Sequence, residues 1–273
     1  MSTHREAELP DGRRFSLQEF GHDGDPALLL PGAGADRMAL GLQGRALQAA
    51  GFHVFSLDYP QLGLATGALP RDVPDLARYA LAALDAVGVG ACHVLGQSLG
   101  SAVAQELALQ ENDRVLSLML LATWGRQDRF LEMRDRIVSL IVGRPIEERL
   151  ALLPYFMASR PLILELGASG GASLGLRGSR AVSDATMATY LSLARAANRL
   201  ERLAELRLPC LVLAGEQDLM TPWEYGKEVA DAIPGAHFHL LKGPRSSHLF
   251  HYELGEETNR EILSFLASFA QVR

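Results

Sequence analysis

The residues best suited to chemistry in this sequence are a serine, an aspartate and a histidine, in that order. Ser98 is the centre of Gly96-Gln97-Ser98-Leu99-Gly100 within "CHVLGQSLGSAVAQELAL". A serine hydroxyl is a poor nucleophile until a base takes its proton and a carboxylate orients that base. Both groups follow later in the chain. Asp218 stands in "EQDLMTP" after the apolar run 209–215, and His248 in "KGPRSSHLFH" after the run 236–241. Each has a neighbour of the same type. Glu216 is two residues before Asp218 and reads as a capping or supporting group. His251 is three residues after His248 and packs or lines a pocket if a helical turn starts there. Attack by a serine also needs two main-chain N–H groups to hold the developing oxyanion. Leu99 supplies one. The other is expected from "PGAGADR", at Ala33, where Gly32 and Gly34 allow close backbone approach. His237 and His239 alternate along one strand face with no third ligand in view, and His53 and His93 fall inside strands. No metal site is expected from them.

Gly-x-Ser-x-Gly is a weak signal by itself, and its flanks decide its meaning. A serine elbow needs a strand running directly into the turn and a helix starting directly after it. "ACHVLG" reads as the strand and "SLGSAVAQELALQ" as the helix. The same alternation runs through the first half. "REAELPDGRRFSLQEFG" reads as two short strands joined at Asp11–Gly12. "ALLLPG" (27–32) is a buried strand, "MALGLQGRALQAAG" (38–51) a helix closed by Gly51, and "FHVFSLDYP" (52–60) a strand. "DVPDLARYALAALDAVGV" is a helix capped by Asp72, and "VLSLMLLA" (115–122) a strand. Strand–helix alternation of this kind predicts a mostly parallel sheet with helices on both faces.

The rhythm breaks at residues 124–205, which read as mostly helical. A Gly/Ser/Ala-rich tract at 166–180 is expected to be a flexible loop or hinge. Alternation resumes with "PCLVLAG" (209–215, strand), 222–235 (helix), 236–243 (strand) and 256–270 (helix). The predicted organisation is an α/β core of residues 1–123 and 206–273 interrupted by a helical cap of residues 124–205. Trp124, Tyr155, Phe156, Met157 and Tyr190 from the cap, with Gly32, Gln97 and His251, are candidate pocket residues. The alternative for each cap side chain is that it only packs the cap onto the core.

The chain has 273 residues, 48% hydrophobic and 21% charged, with a net charge of −6 and pI near 5.8. That composition fits a globular protein with a sizeable core. There is no basic excess of the kind that nucleic-acid phosphates require. Cys92 and Cys210 each start an apolar run and are expected to be buried thiols. No run reaches the roughly 18 apolar residues of a membrane span. "MSTHREAELPDGRR" lacks the apolar core of a signal peptide. The expected setting is cytoplasmic, with a small-molecule substrate as partner and neither membrane nor nucleic acid. The oligomeric state is open, and a homodimer is among the assemblies allowed.

With "LLLPGAG", "LGQSLGSA", "LVLAGEQDLMTP" and "GPRSSHLFH" in this order, the chain resembles the α/β-hydrolase fold family over nearly its whole length. It is similar in style to the bacterial esterase and lactonase branch, including enol-lactonase-like enzymes and polyketide methylesterases. The resemblance implies a Ser98–His248–Asp218 triad and no cofactor. Ester, thioester or lactone cleavage through an acyl group on Ser98 is the leading expectation. C–C bond hydrolysis, a non-hydrolytic cyclisation or acyl transfer in natural-product metabolism, and a ligand-sensing or partner-binding role on the same scaffold are the alternatives. Two departures stand out. Pro31–Gly32 replaces the His-Gly of many members, and "GPRSSH" replaces the usual Gly-x-Gly-His. The serine argues against the dehalogenase and epoxide hydrolase branches, which need an aspartate there.

Overall fold

The computed structural model describes residues 2–167, 182–195 and 198–270. From residue 168 on, the expected hinge at 166–180 lies outside the described residues. The strands form one sheet: β1 (Ser2–Glu8), β2 (Arg14–Phe20), β3 (Pro26–Leu30), β4 (His53–Asp58), β5 (Cys92–Gln97), β6 (Val115–Leu121), β7 (Cys210–Gly215) and β8 (His237–Leu241). Their order across the sheet is β1-β2-β4-β3-β5-β6-β7-β8. β1 and β2 form an antiparallel hairpin, β2 runs antiparallel to β4, and β3 to β8 are parallel.

The central strands read as unbroken apolar runs because both of their faces are covered. Leu28, Val94, Leu118, Leu120 and Val212 pack into one cluster with α2 (Val73–Ala86), α3 (Leu99–Gln110) and α8 (Trp223–Ala232). Leu29, Leu95, Met119, Leu121 and Leu213 point the other way, onto α1 (Gly41–Ala49) and α10 (Gly255–Ala270). Neighbouring residues thus serve opposite faces, as the two-residue period of a strand requires. Asp72 caps α2, accepting from Asp75 N at 2.6 Å. α1 starts at Gly41 and not at Met38, because the preceding residues are taken up by a turn. In it Asp36 Oδ1 accepts from Met38 N at 2.8 Å.

Between β6 and β7 the chain leaves the sheet. This excursion holds α4 (Arg129–Val142), α5 (Ile146–Met157), α6 (Arg160–Leu166) and α7 (Asp184–Arg195). Its two ends meet: the N–H groups of Arg199 and Leu200 both donate to Gly125 O, at 2.7 and 2.9 Å. Val138 and Val142 of α4 pack on Met187 of α7. A short helix, α9 (Phe250–Glu253), follows the loop after β8 and is the helical turn on which the reading of His251 is conditional. Cys92 and Cys210 are buried and unbridged, and burial pushes the Cys92 thiol up to about 12. Among the described residues, no helix is long and apolar enough to cross a membrane.

Gly96 and Gly100 are where the helix following the serine turn meets the sheet. A Cβ on Gly100 would run into the carbonyls of Leu30 and Pro31, and one on Gly96 into the carbonyl of Gly100. Both obstacles are backbone, so neither can rotate away. Gly100→Ala is expected to lower stability by about 2 kcal/mol or more, the scale of an overpacked core. A urea midpoint equal to that of the parent would contradict this close approach.

Candidate active site

β5 delivers Ser98 into a turn that only the surrounding hydrogen bonds make tolerable. Its backbone sits at φ 53 and ψ −121, a region a non-glycine residue rarely occupies. Ser98 N donates to Leu121 O of β6 at 2.9 Å. Ser98 O accepts from Ser101 N at 2.8 Å and from Ser101 Oγ at 2.6 Å. Ser101 Oγ lies 2.8 Å from Thr123 Oγ1, and Gln105 Nε2 donates to the same oxygen at 2.7 Å. This buried polar chain locks the first turn of α3. The Ser98 side chain stays partly accessible and has no hydrogen-bond partner among the described residues.

Asp218 and His248 are brought together from two different loops. Asp218 follows β7 and is 4% exposed; His248 follows β8 and is 2% exposed. His248 Nδ1 lies 2.9 Å from Asp218 Oδ2 and 3.1 Å from Oδ1. Asp218 Oδ1 also accepts from the backbone N–H of Met220 and Thr221, at 2.8 and 2.9 Å. Thr221 Oγ1 is 2.9 Å from Asp218 Oδ2. These donors fix the plane of the carboxyl group. With Nδ1 facing a carboxylate, the imidazole presents Nε2 as its lone pair. Gln97 Nε2 lies 3.4 Å from it.

The neighbours weighed against these residues stand elsewhere. Glu216 accepts from Gly243 N at 3.2 Å at an exposed site between the two loops. His251 makes no contact with Asp218 of hydrogen-bond length. His237 stacks edge-on against Phe265, and His239 lies beside Glu261. Glu19, His22 and His53 do bring ligand-type atoms together at the far side of the sheet. There Glu19 is already held by Arg5 at 2.6 Å and by Thr3 at 2.9 Å.

A cavity of about 400 Å³ opens over Ser98. Its wall includes Gly32, Ala33, Gln97, Ser98, Leu99 and His248 from the core. Neither the Ala33 nor the Leu99 N–H donates a hydrogen bond among the described residues. From the excursion come Trp124, Val138, Leu153, Met157, Met187 and neighbours, and from α9 His251. Three candidates from the sequence do not line it. On α5 the four-residue spacing of Leu153 and Met157 selects the inward face, which leaves Tyr155 68% exposed and turns Phe156 off it. Tyr190 is fully buried at a different place, stacked on Tyr59 with its hydroxyl donating to Pro60 O at 2.6 Å.

Sequence reasoning did not single out Thr221, Met187 or the support of the histidine loop. Thr221 had a local signal, an aspartate followed three residues later by a threonine and then a proline, which is a turn pattern. The loop "GPRSSH" is held from outside. Ser247 Oγ donates to Glu253 Oε1 at 2.5 Å, and Ser159 N donates to the same oxygen at 2.9 Å. Leu249 N donates to Met157 O at 3.2 Å. No spacing rule connects Ser159 with Glu253.

His251 is the most strongly perturbed histidine of the site. Burial, with a smaller push from His248 and an opposing pull from Asp218, lowers its pKa from 6.5 to about 3. The folded state therefore binds His251's proton less readily than the unfolded chain. The contribution is full above pH 6.5 and is lost as pH falls from there toward 3. His251→Gln is expected to flatten the acid limb of a stability-against-pH curve, by up to ~1.4 kcal/mol per pH unit in that window. Parallel limbs for parent and variant would contradict it.

Comparison with known proteins gives a consistent picture. The family model for the alpha/beta hydrolase fold matches residues 26–136. A RutD protein of Variovorax paradoxus, provisionally named a carbamate hydrolase, is 29% identical over 90% of this chain and 92% of its own. The RutD protein of Azorhizobium caulinodans, under the same provisional name, is 30% identical over 74% of this chain and 76% of its own. The crystal structure of a hydrolase from Pseudomonas aeruginosa PA01 superposes with a TM-score of 0.85 at 24% identity, covering 97% of this chain and 98% of that one.

Proposed function

The chain belongs to the alpha/beta hydrolase fold family, and from that premise we propose that it is a serine hydrolase of carboxylic esters, thioesters or lactones. The observation that carries this reading is a strained, accessible Ser98 sharing one cavity with His248, whose Nδ1 is bound to a buried Asp218. In the proposed reaction Ser98 Oγ attacks the substrate carbonyl carbon and passes its proton to His248 Nε2. Asp218 holds the ring and stabilises the imidazolium. The N–H groups of Ala33 and Leu99 receive the negative charge that forms on the carbonyl oxygen. The tetrahedral adduct collapses, the leaving group takes the proton from His248, and the acyl group remains on Ser98. Water, deprotonated by His248, then releases the acid by the same steps. None of these steps calls on a metal or cofactor.

In this reading residues 124–205 act as a cap on a core of 1–123 and 206–273. The apolar wall from the cap, with Val138, Leu153, Met157 and Met187, suits a small, mainly apolar substrate. The provisional carbamate hydrolase names of relatives fit the same chemistry, since a carbamate presents a carbonyl that can be attacked in the same way.

A fluorophosphonate probe followed by peptide mapping tests the reading before any substrate is known. The label is expected on Ser98, and Ser98→Ala should lose both the label and turnover of a chromogenic ester, the latter on the order of 10³-fold or more. A label on another residue, or parent-level turnover by Ser98→Ala, would sink it.

A further inference from the structure

Two ring nitrogens on the cavity-lining residues are buried and have no hydrogen-bond partner among the described residues: Nδ1 of His251 and Nε1 of Trp124. Native structures keep few such groups, because each costs about 1–3 kcal/mol while it stays unpaired. Ser98 Oγ and the N–H groups of Ala33 and Leu99 are also unpaired among the described residues, but the proposed reaction uses them, whereas Arg134, Asp135 and Gln97 of the wall are matched. Arg134 pairs with Asp135 at 2.6 Å and donates to Met220 O at 2.7 Å. Gln97 lies against His248. His251 is 5% exposed and firmly seated, with Gln43 Nε2 donating to its carbonyl at 2.7 Å and Phe250 edge-on to its ring. It stands in α9, three residues beyond His248, on the wall that also carries Ser98.

We propose that His251 is a substrate-positioning residue whose ring hydrogen-bonds a second oxygen function, keto or hydroxyl, that the substrate carries near its scissile carbonyl. The inference rests on the serine hydrolase reading and narrows its substrate class. Burial and the adjacent His248 keep His251 neutral, so it offers one N–H and one lone pair rather than a charge. That matches a neutral oxygen group and not a carboxylate. Trp124 Nε1 can only donate, so its partner must be an acceptor. Apart from the Arg134–Asp135 pair, the rest of the cap wall is apolar. A plain aliphatic ester would fill the space and leave both nitrogens unpaired. An oxo- or hydroxy-acyl ester, or a lactone bearing such a group, would satisfy at least one.

The test is selectivity between two substrates that differ only at that oxygen: 4-nitrophenyl 3-hydroxybutanoate and 4-nitrophenyl butanoate. The parent is expected to favour the hydroxy ester in kcat/KM. In His251→Phe, which keeps the ring volume, the ratio of the two kcat/KM values should fall about tenfold or more, mostly through KM. His251→Gln, which restores a hydrogen-bonding amide, should recover part of it. A ratio unchanged in His251→Phe, or one that falls equally in both variants, overturns the proposal. Binding needs no turnover and separates this inference from the one beneath it. Ser98→Ala protein should bind the hydroxy ester about tenfold more tightly than Ser98→Ala/His251→Phe protein in titration calorimetry, and equal affinities overturn the proposal whatever the fluorophosphonate result. Loss of the fluorophosphonate label on Ser98 in the parent would instead overturn only the serine hydrolase reading.

Discussion

Everything at this site depends on how closely the N-terminus of α3 approaches the sheet. Gly100 rests on the carbonyls of Leu30 and Pro31, and Gly96 on that of Gly100, with no room for a side chain at either place. That approach forces the chain between them through a sharp turn, and Ser98 takes the strained conformation that results. The strain is held in place by ordinary interactions. β6 supplies the carbonyl of Leu121, and Ser101 ties the Ser98 carbonyl into the Thr123–Gln105 chain. The local cost of the turn is small beside the burial that fixes both partners, since α3 is buried along nearly its whole length.

Asp218 and His248 are positioned by a second set of constraints. Parallel strands place their carboxyl ends along one edge, so loops after β5, β7 and β8 converge without any contact near in sequence. Asp218 is immobilised by its own turn through the N–H groups of Met220 and Thr221. His248 is immobilised by distant partners, through Glu253 and the backbone of Met157. Asp218 is thus fixed mainly by bonds close in sequence and His248 mainly by partners far from it, although Gln217 N also donates to Ser246 O at 3.0 Å and Arg134 to Met220 O at 2.7 Å.

This difference explains what could be read from the sequence. Strand–helix alternation, the serine turn and the order of serine, aspartate and histidine are local patterns, and the structure places those elements within a few residues of expectation. The pairing of His248 rather than His251 with Asp218 was favoured by position but decided by three-dimensional geometry. The excursion between β6 and β7 was legible as helix and illegible as surface. Tyr155 and Phe156 look like pocket aromatics until the period of α5 is fixed by Leu153 and Met157. Tyr190 looks equally suitable until Tyr59 and Pro60 are known to surround it. Aromatic character alone fixes neither burial, since Tyr155 is exposed, nor the cavity that a ring faces; both are set by packing between segments far apart in sequence.

The two N–H groups of Arg199 and Leu200 that share the carbonyl of Gly125 have a consequence for how such a protein can change. They close the excursion at its neck, so the sheet sees the same two anchor points whatever lies between. Lengthening a loop already pinned at both ends costs only a slowly growing entropy. Helices between residues 126 and 198 can therefore be shortened, extended or exchanged while β6 and β7 stay in register, provided that Met157 and Ser159 still brace the loop of His248. For the proposed hydrolase, selectivity then becomes a largely separable part, open to grafting in the laboratory and to divergence in evolution, above a Ser98 turn that tolerates almost no movement.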